Sequence, residues 1–322
     1  MTQFIQLHFL TSYPPANLNR DDLGNPKTAR LGGVERLRVS SQSLKRAWRT
    51  SEAFQKEFSG SIGTRTRRLG IEVFEALKAK GVAEKKAKDW AEEIAKEYGA
   101  LRKKAPLEIQ QPVHVAPEER KTLDDLVSKL AEEKRGPKKE ELESLLHDHT
   151  AVDIAMFGRM LASKTEFNGE AAVQVAHAIG VHASAVEDDY FTAVDDLNRN
   201  GPEAAYVGEA GFAAAVFYQY VCIDRDLLKK NLGNVEALTE KAIKTLVKTA
   251  LTVGPTGKQN SFASRAYAHY ALVEKGTQQP RSLSLAFVRP VNGADYAQEA
   301  ITALSTVRKN MDMVYGACSD AH

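Results

Sequence analysis

Strand-like segments near both ends of this 322-residue chain enclose a long helical middle, and this order constrains the fold more than any other feature. Residues 4–10 alternate apolar and polar side chains, which predicts a strand buried on one face only. Residues 212–223 are rich in aromatic and β-branched side chains and predict a core strand, and residues 270–273 and 283–288 predict two more. The order therefore predicts an α+β domain made from both ends of the chain, with helices inserted between them.

The middle of the chain has the periodicity of helices. Residues 82–98 place Trp90, Ile94 and Tyr98 on one face, and Gly99 follows as a C-cap. After the turn-forming residues 198–202, Asn234 predicts the start of another helix as its cap. The same reasoning predicts further helices at residues 121–134, 137–146, 152–161, 170–179 and 296–315.

Composition limits the function classes. A hydrophobic content of 43% is enough for a real core, and 44 basic against 42 acidic residues leave a net charge of only +2. Nucleic-acid binding would therefore require a segregated basic patch. The two cysteines, Cys222 and Cys318, lack metal-ligand spacing and predict a reduced, cytoplasmic setting. Neither an export leader nor a membrane-spanning run is predicted.

Such a patch is found in residues 19–49. Ser40 and Ser41 can cap a helix whose opening turns carry Lys45 and Arg46, where the helix dipole favours acids. Free N–H groups, hydroxyls and cations at a helix N-terminus predict a site for phosphates, and Gly32-Gly33 offers backbone for close approach. A solvated basic helix packed through Leu44 and Trp48 is the alternative. The segment has three acids, Asp21, Asp22 and Glu35, against eight cations: Arg20, Lys27, Arg30, Arg36, Arg38, Lys45, Arg46 and Arg49.

Several motifs resemble the CasC-type backbone subunit of the type I-E CRISPR surveillance complex, Cascade. The most specific pieces are residues 40–46, SSQSLKR, and residues 191–196, FTAVDD. Others are LNRDD at 18–22, PK at 26–27, GG at 32–33, RVSSQSLKRA at 38–47, GRM at 158–160, AHAI at 176–179, VFY at 216–218 and GKQ at 257–259. The resemblance therefore spans most of the chain.

This resemblance implies a ferredoxin-like, RNA-recognition-like palm at residues 1–58 and 212–322, helical fingers at 59–190 and a β-hairpin thumb at 191–211. It implies partners: CRISPR RNA, target DNA paired through that guide, further copies of the chain and other Cascade subunits. A subunit that holds the guide by its phosphates leaves the bases free to pair. The RNA-binding residues implied are Arg20, Lys27, Ser40, Gln42, Lys45, Arg46, Arg49, Met160, Phe191, Thr192 and Lys258.

Two of these residues have an ordinary alternative. Met160 and Phe191 are residue types that are usually buried, and core packing is the reading for each taken alone. The resemblance implies instead that they lie where the thumb meets the fingers, and an apolar wedge there can unstack nucleotides. Lys258 lies in a Gly-rich loop, and most such loops are only connections.

Catalysis has little support in the sequence. No Ser/His/Asp signature or phosphate-cradling loop occurs, and the histidines lack zinc-ligand spacing, so no catalytic residue, metal or cofactor is expected. Asp21 and Asp22 could ligate a metal in a ribonuclease of related architecture, but ion pairs with Arg20 or Lys27 are a simpler role. A non-enzymatic RNA scaffold is the leading prediction, ahead of that nuclease and of a general RNA-binding protein.

Overall fold

A mostly antiparallel sheet and a set of helices form the structure, a computed structural model that describes residues 2–147, 149–161, 164–197, 204–318 and 320–321. The strands are β1 Phe4–Ala16, β2 Thr28–Leu31, β3 Val34–Val39, β4 Thr64–Thr66, β5 Leu101–Arg102, β6 Ala105–Ile109, β7 Val113–Val115, β8 Val173–Val175, β9 Ala178–Gly180, β10 Glu187–Val194, β11 Ala204–Asp224, β12 Tyr270–Gly276 and β13 Asp320–Ala321. The α-helices are α1 Ser41–Arg49, α2 Glu52–Glu57, α3 Leu69–Ala79, α4 Glu84–Tyr98, α5 Pro117–Glu133, α6 Lys139–Glu143, α7 Val152–Phe157, α8 Arg225–Asn231, α9 Glu236–Thr252, α10 Gln259–Phe262 and α11 Tyr296–Tyr315. Thr165–Phe167 and Ser284–Phe287 form 3-10 turns. The α+β prediction is confirmed.

The chain divides into two units. The first comprises Met1–Phe54, Gln174–Asp224 and Ile243–His322. Its sheet has the order β13-β12-β1-β11-β9-β3-β2, with β8 and β10 also paired to β11. Helix α11 and the 3-10 turn Ser284–Phe287 pack against one face of this sheet. The core between them contains Leu10, Val216, Leu272, Leu283, Phe287 and Leu304.

The second unit comprises Gln55–Val173 and Arg225–Ala242. The apolar stripes of α3, α4 and α5 meet in a core of Leu69, Leu77, Trp90, Ile94, Leu123 and Leu130. The helix predicted at residues 82–98 is thus confirmed as α4, which ends at Gly99.

The first strand is confirmed, but the expectation that only one of its faces is buried is wrong. β1 lies between β11 and β12, so that Leu7 faces Val221 on one side and Val273 on the other. His8, whose side chain the alternating pattern predicts to face solvent, is 0% exposed. Its Nδ1 lies 2.9 Å from the Tyr218 hydroxyl, and its Nε2 lies 3.2 Å from Glu274 Oε2. Polar partners across the sheet therefore allow a polar side chain to be buried there.

Two other segments differ from their predicted type. Residues 170–179 were predicted to be helical but form β8 and β9, because Ile179 pairs with both Tyr218 and Arg38 in the sheet. Pairing of this kind overrides weak local propensity. Residues 283–288 were predicted to be a strand but contain the 3-10 turn, whose Phe287 is buried in the core of the first unit.

Two helix ends also differ from prediction. The helix expected at residues 152–161 stops at Phe157, because Gly158 has a φ of 77°. Asn234 does not start α9 but completes the end of α8. Its N–H donates to the Lys229 carbonyl at 2.8 Å, and the Gly233 N–H donates to the Lys230 carbonyl at 3.1 Å. This is the paired arrangement of a Schellman motif, in which Gly233, with a φ of 66°, takes the left-handed position.

A hairpin is confirmed in the region of the predicted thumb. β10 pairs antiparallel with the first part of β11, from Glu187 opposite Phe212 to Val194 opposite Ala204. The predicted turn at residues 198–202 lies outside the described residues.

Candidate nucleic-acid interface

The groups that contact the N-terminus of α1 are polar but uncharged. The Ser40 hydroxyl accepts from the Ser43 N–H at 3.3 Å, as predicted for the cap, and Asn19 Oδ1 accepts from the Ser40 N–H at 2.9 Å. The first turn contains no acidic residue. Leu44 and Trp48 are buried and fix the opposite face of the helix. The positive end of the dipole and the free N–H groups therefore remain available to an anion.

Residues 19–27 form a closed loop beside that helix end. The Lys27 N–H donates to the Asn19 carbonyl at 2.8 Å, and the Arg38 N–H donates to the Lys27 carbonyl at 2.8 Å. Asp21 Oδ1 accepts from the N–H groups of Leu23 and Asn25, both at 2.9 Å. Asp21 thus serves as the turn-forming residue of the loop.

The ion pairs predicted for Asp21 and Asp22 are therefore wrong. Within the described residues, neither carboxylate lies at ion-pair distance from Arg20 or Lys27, so both cations keep their charge free for another partner. The alternative, a metal site at Asp21 and Asp22, has no support from the geometry, since no cluster of three or more potential metal ligands occurs among the residues that the structure describes.

A first basic cluster lies on one side of α1 and comprises Lys27, Arg38, Lys45 and His177. Arg38 Nη1 lies 2.8 Å from His177 Nδ1, so the imidazole accepts from the guanidinium. Loss of hydration puts the pKa of His177 below its ordinary value, and the charges of Arg38, Lys27 and Lys45 lower it further. Partial burial lowers the pKa of Lys45 as well. Each shift reports a positive potential or low hydration, both of which strengthen binding of an anion.

A cleft of about 940 Å³ lies on the other side of α1. Arg20 and Arg46 line it together with Ser43, and the loop 255–257 and Arg265 close its far side. Acids are present too, namely Asp21, Asp22 and Glu52. Lys45 and Arg46 are adjacent in sequence, but helix geometry directs them to the two sides of α1, so a polyanionic strand can contact both.

Other predicted residues are placed around these features. Gln42 is exposed on α1, whereas Arg49 is half-buried and already has an interaction partner. Lys258 is half-buried, with a φ of 49°, at the start of α10. Ser40 contributes mainly as the helix cap.

Arg36 and Gly32 have structural roles instead of the anion-binding roles that the sequence suggested. The Arg36 side chain is fully buried and donates to the carbonyls of Gly180 at 3.0 Å and Phe287 at 3.1 Å. Gly32 and Gly33 form the two-residue turn between β2 and β3, with φ values of 61° and 85°. A Cβ on Gly32 would lie 1.6 Å from the Val288 carbonyl oxygen, so this position requires glycine.

Met160 and the thumb residues are exposed. Met160, in the second unit, is 78% exposed, so the core-packing alternative is wrong for it. Phe191 is partly exposed on β10, and its ring lies 5.9 Å from that of Tyr206. Gly208 leaves room for the Phe191 ring, because a Cβ there would lie 2.6 Å from Cζ. Thr192 is exposed beside it.

The hairpin has both apolar and acidic side chains at its surface. It exposes Tyr190, Val194, Leu197, Tyr206 and Val207. It is also acidic, since residues 187–209 contain seven Asp and Glu residues against one Arg. Apolar and acidic side chains together suit a protein surface better than a phosphate backbone.

Sequence reasoning left out three residues that the structure adds to the interface. Arg38 was counted only as part of the basic segment, and His177, which lacks zinc-ligand spacing, was interpreted as a surface or packing residue. Arg265 lies in a loop with no motif, and only the fold brings it to the cleft. In addition, no helix in the described part of the chain is long and apolar enough to cross a membrane.

Comparison with known proteins gives the family. The model of the CT1975-like protein family matches residues 5–322. The chain belongs to this family. One similar solved structure is a chain of a "CRISPR RNA-guided surveillance complex, pre-nicking", with 30% identity and a TM-score of 0.83 over 99% of this chain and 90% of that one.

A second is a chain of a "CRISPR RNA-guided surveillance complex", with 26% identity and a TM-score of 0.60 over 99% of this chain and 86% of that one. None of the curated proteins matches this member of the CT1975-like family.

Proposed function

We propose that this chain is a backbone subunit of a CRISPR RNA-guided surveillance complex, of the CasC type found in type I-E Cascade. It binds CRISPR RNA by its phosphates, joins further copies along that RNA and other Cascade subunits, and leaves the bases free to pair with target DNA. The observation that carries the proposal is the convergence of two cationic surfaces on one helix N-terminus that has a neutral cap and no acid in its first turn, in a fold similar to chains of such complexes.

The order of elements supports a ferredoxin-like palm. Along the chain, β1, α1, β9, β11, α9 and β12 follow a β-α-β-β-α-β sequence, and their strands lie in the order β12-β1-β11-β9. That is the 4-1-3-2 order of a ferredoxin-like sheet, which RNA-recognition domains share. On this proposal, residues 1–58 and 212–322 form the palm together with β9, the rest of 59–190 forms the fingers and 191–211 forms the thumb.

The phosphate track follows from the site. Lys27 and Lys45 bind on one side of α1, Arg20 and Arg46 on the other, with Gln42 and Arg49 between them and Lys258 in the neighbouring loop. The Ser40 cap keeps the helix N–H groups in place for the same strand. Contacts of this kind bind every sequence alike, as a guide-holding subunit requires.

The hairpin would act on a different partner. Its acidic charge opposes phosphate contact along its length, while its exposed apolar side chains suit a neighbouring copy of the chain. Met160 and Phe191 would instead lie against the RNA as apolar wedges between bases, with Thr192 as a further RNA contact beside Phe191. We propose a scaffold and not an enzyme, because Asp21 serves the loop turn and no metal cluster occurs in the described residues.

Light scattering with and without CRISPR RNA tests this function. We expect the RNA to convert the purified chain into a linear multimer whose length follows that of the guide. Replacing residues 198–210 by a short Gly/Ser linker should abolish the multimer but keep single-copy RNA binding. A closed oligomer of the same size without RNA would contradict the proposal. So would cleavage of the RNA with Mg²⁺ that is lost in Asp22→Ala.

A further inference from the structure

A second, smaller cavity lies in the loop that joins α9 to β12. It has a volume of about 540 Å³ and is lined by residues 252–256 and by Gln259, Ser264, Arg265, Ala266 and Tyr267. Two hydrogen bonds fix the loop at its ends: the Ala268 N–H donates to the Leu251 carbonyl at 2.8 Å, and Trp48 Nε1 donates to the Val253 carbonyl at 3.2 Å. These hydrogen bonds therefore fix the backbone that forms the cavity.

Two residues that line this cavity each have a buried polar side-chain atom without a partner in the described part of the chain. Ser264 is 1% exposed, and neither its hydroxyl nor the buried Nε2 of Gln259 has a hydrogen-bond partner among the described residues. Buried polar groups are normally paired, so an orphaned hydroxyl and an orphaned amide donor in one cavity point to a ligand with polar edges. The hydroxyl can donate and accept, and the amide donates.

The walls have an aromatic ring and a cation. Tyr267 is 71% exposed and presents a flat ring that nothing in the described chain covers. Arg265 lines both this cavity and the larger cleft that holds Arg20 and Arg46. A ligand in the cavity can therefore be continuous with a polyanion in the cleft.

The backbone around the cavity is strained in a way that fixes its shape. Lys258 and Ala263, at the two ends of α10, both have a φ of 49°, which side chains with a Cβ rarely adopt. The ring of Phe262 lies 5.9 Å from that of Phe212 and holds α10 against β11. Strain of this kind is concentrated at ligand sites.

We infer that this cavity takes one nucleobase of the RNA strand whose phosphates lie in the adjoining cleft. Tyr267 stacks on the base, and Gln259 and Ser264 hydrogen-bond to its edge. Arg265 contacts the phosphate that links it to the cleft. A planar, polar-edged ring explains the orphaned atoms and the exposed tyrosine together, and the cavity is large enough to admit one. The inference rests on the proposed function, because it presupposes a bound RNA strand.

Matched RNAs separate the base from the phosphates. A single-stranded, uridine-rich 9-nucleotide RNA and an abasic strand of the same length carry the same charge. We expect the wild-type chain to bind the base-bearing strand about tenfold more tightly, in line with the contribution of one base stacked on an aromatic side chain. Tyr267→Ala and Gln259→Leu should reduce this preference to the part that the bases at Met160 and Phe191 contribute, and leave binding of the abasic strand unchanged.

Controls keep the result specific. Gln259→Leu removes an unpartnered donor at nearly constant volume, so we expect it to keep or raise thermal stability while it lowers base preference. Tyr315→Ala removes another exposed tyrosine and should keep the preference. Equal affinity for both RNAs, or a preference as large in Tyr267→Ala as in the wild-type chain, would overturn this inference alone.

Other outcomes bear on the source of the base. No binding of either RNA would overturn the proposed function and this inference with it. Uridine 5′-monophosphate binding that depends on Tyr267, at concentrations that displace the RNA, would assign the cavity to free nucleotides and overturn the RNA assignment.

Discussion

Removal of Lys45 and Arg46 together is the sharpest test of the phosphate site. Both side chains leave α1, one towards the basic cluster and one into the cleft, so the double variant Lys45→Ala/Arg46→Ala should lose two phosphate contacts. Each contact to single-stranded nucleic acid contributes about 0.7 to the slope of log affinity against log salt, so the slope should become shallower by about 1.4.

The size of this effect is measurable. Between 50 and 200 mM salt, a slope difference of about 1.4 amounts to a factor of about seven in affinity, so the wild-type chain should lose that much more binding than the variant. Fluorescence anisotropy with a labelled single-copy RNA, repeated at five salt concentrations, measures the slope. RNAs of different sequence should lose affinity equally, since phosphates carry no sequence information.

A matched control removes the same charge elsewhere. Lys85→Ala/Lys86→Ala deletes two exposed lysines from α4, in the second unit, and should leave the slope unchanged. An unaltered slope in Lys45→Ala/Arg46→Ala would show that α1 is only a solvated basic helix. A loss of affinity confined to particular RNA sequences would refute the phosphate reading as well.

Three further outcomes are expected. Ser40→Ala should lower the free energy of unfolding by about 1 kcal/mol through loss of the cap, whereas Ser40→Asp should keep that stability but weaken RNA binding by repulsion. Thermal melts measure the first effect and fluorescence anisotropy the second. Equal RNA affinity in both variants would contradict the site. Gly33→Ala should cost about 1–2 kcal/mol for its left-handed φ alone, and Gly32→Ala clearly more because of the clash with Val288; denaturant titrations giving equal costs would refute this. RNA binding should tighten as pH falls through the range of His177, since partial burial and then the neighbouring cations lower its pKa in the free chain, and a bound phosphate raises that pKa again. The trend should be absent in His177→Asn, and its persistence there would remove His177 from the site.

Prediction succeeded where local chemistry decides the structure. The start of the helix with Ser40, Leu44 and Trp48 and both ends of the final helix at residues 296–315 were predicted within a residue, because capping and apolar periodicity act within a few turns. It failed at residues 170–179, whose alanine-rich text favours a helix but whose pairing with Tyr218 and Arg38 makes strands. Strand pairing joins residues that are far apart in the sequence, so the residues of a short segment do not reveal it.

The sequence by itself determined the segregation of cations onto residues 19–49, the helix that presents them and the position of the hairpin. Only the tertiary structure decided which cations are free. In the folded chain, Arg36 is buried and donates to backbone carbonyls, and Asp21 accepts from backbone N–H groups. The fold also places His177 on one side of α1 and Arg265 on the other. The physical reason is that a charge is available to a ligand only after the fold has settled its hydration and its other partners. Those depend on residues far apart in the chain.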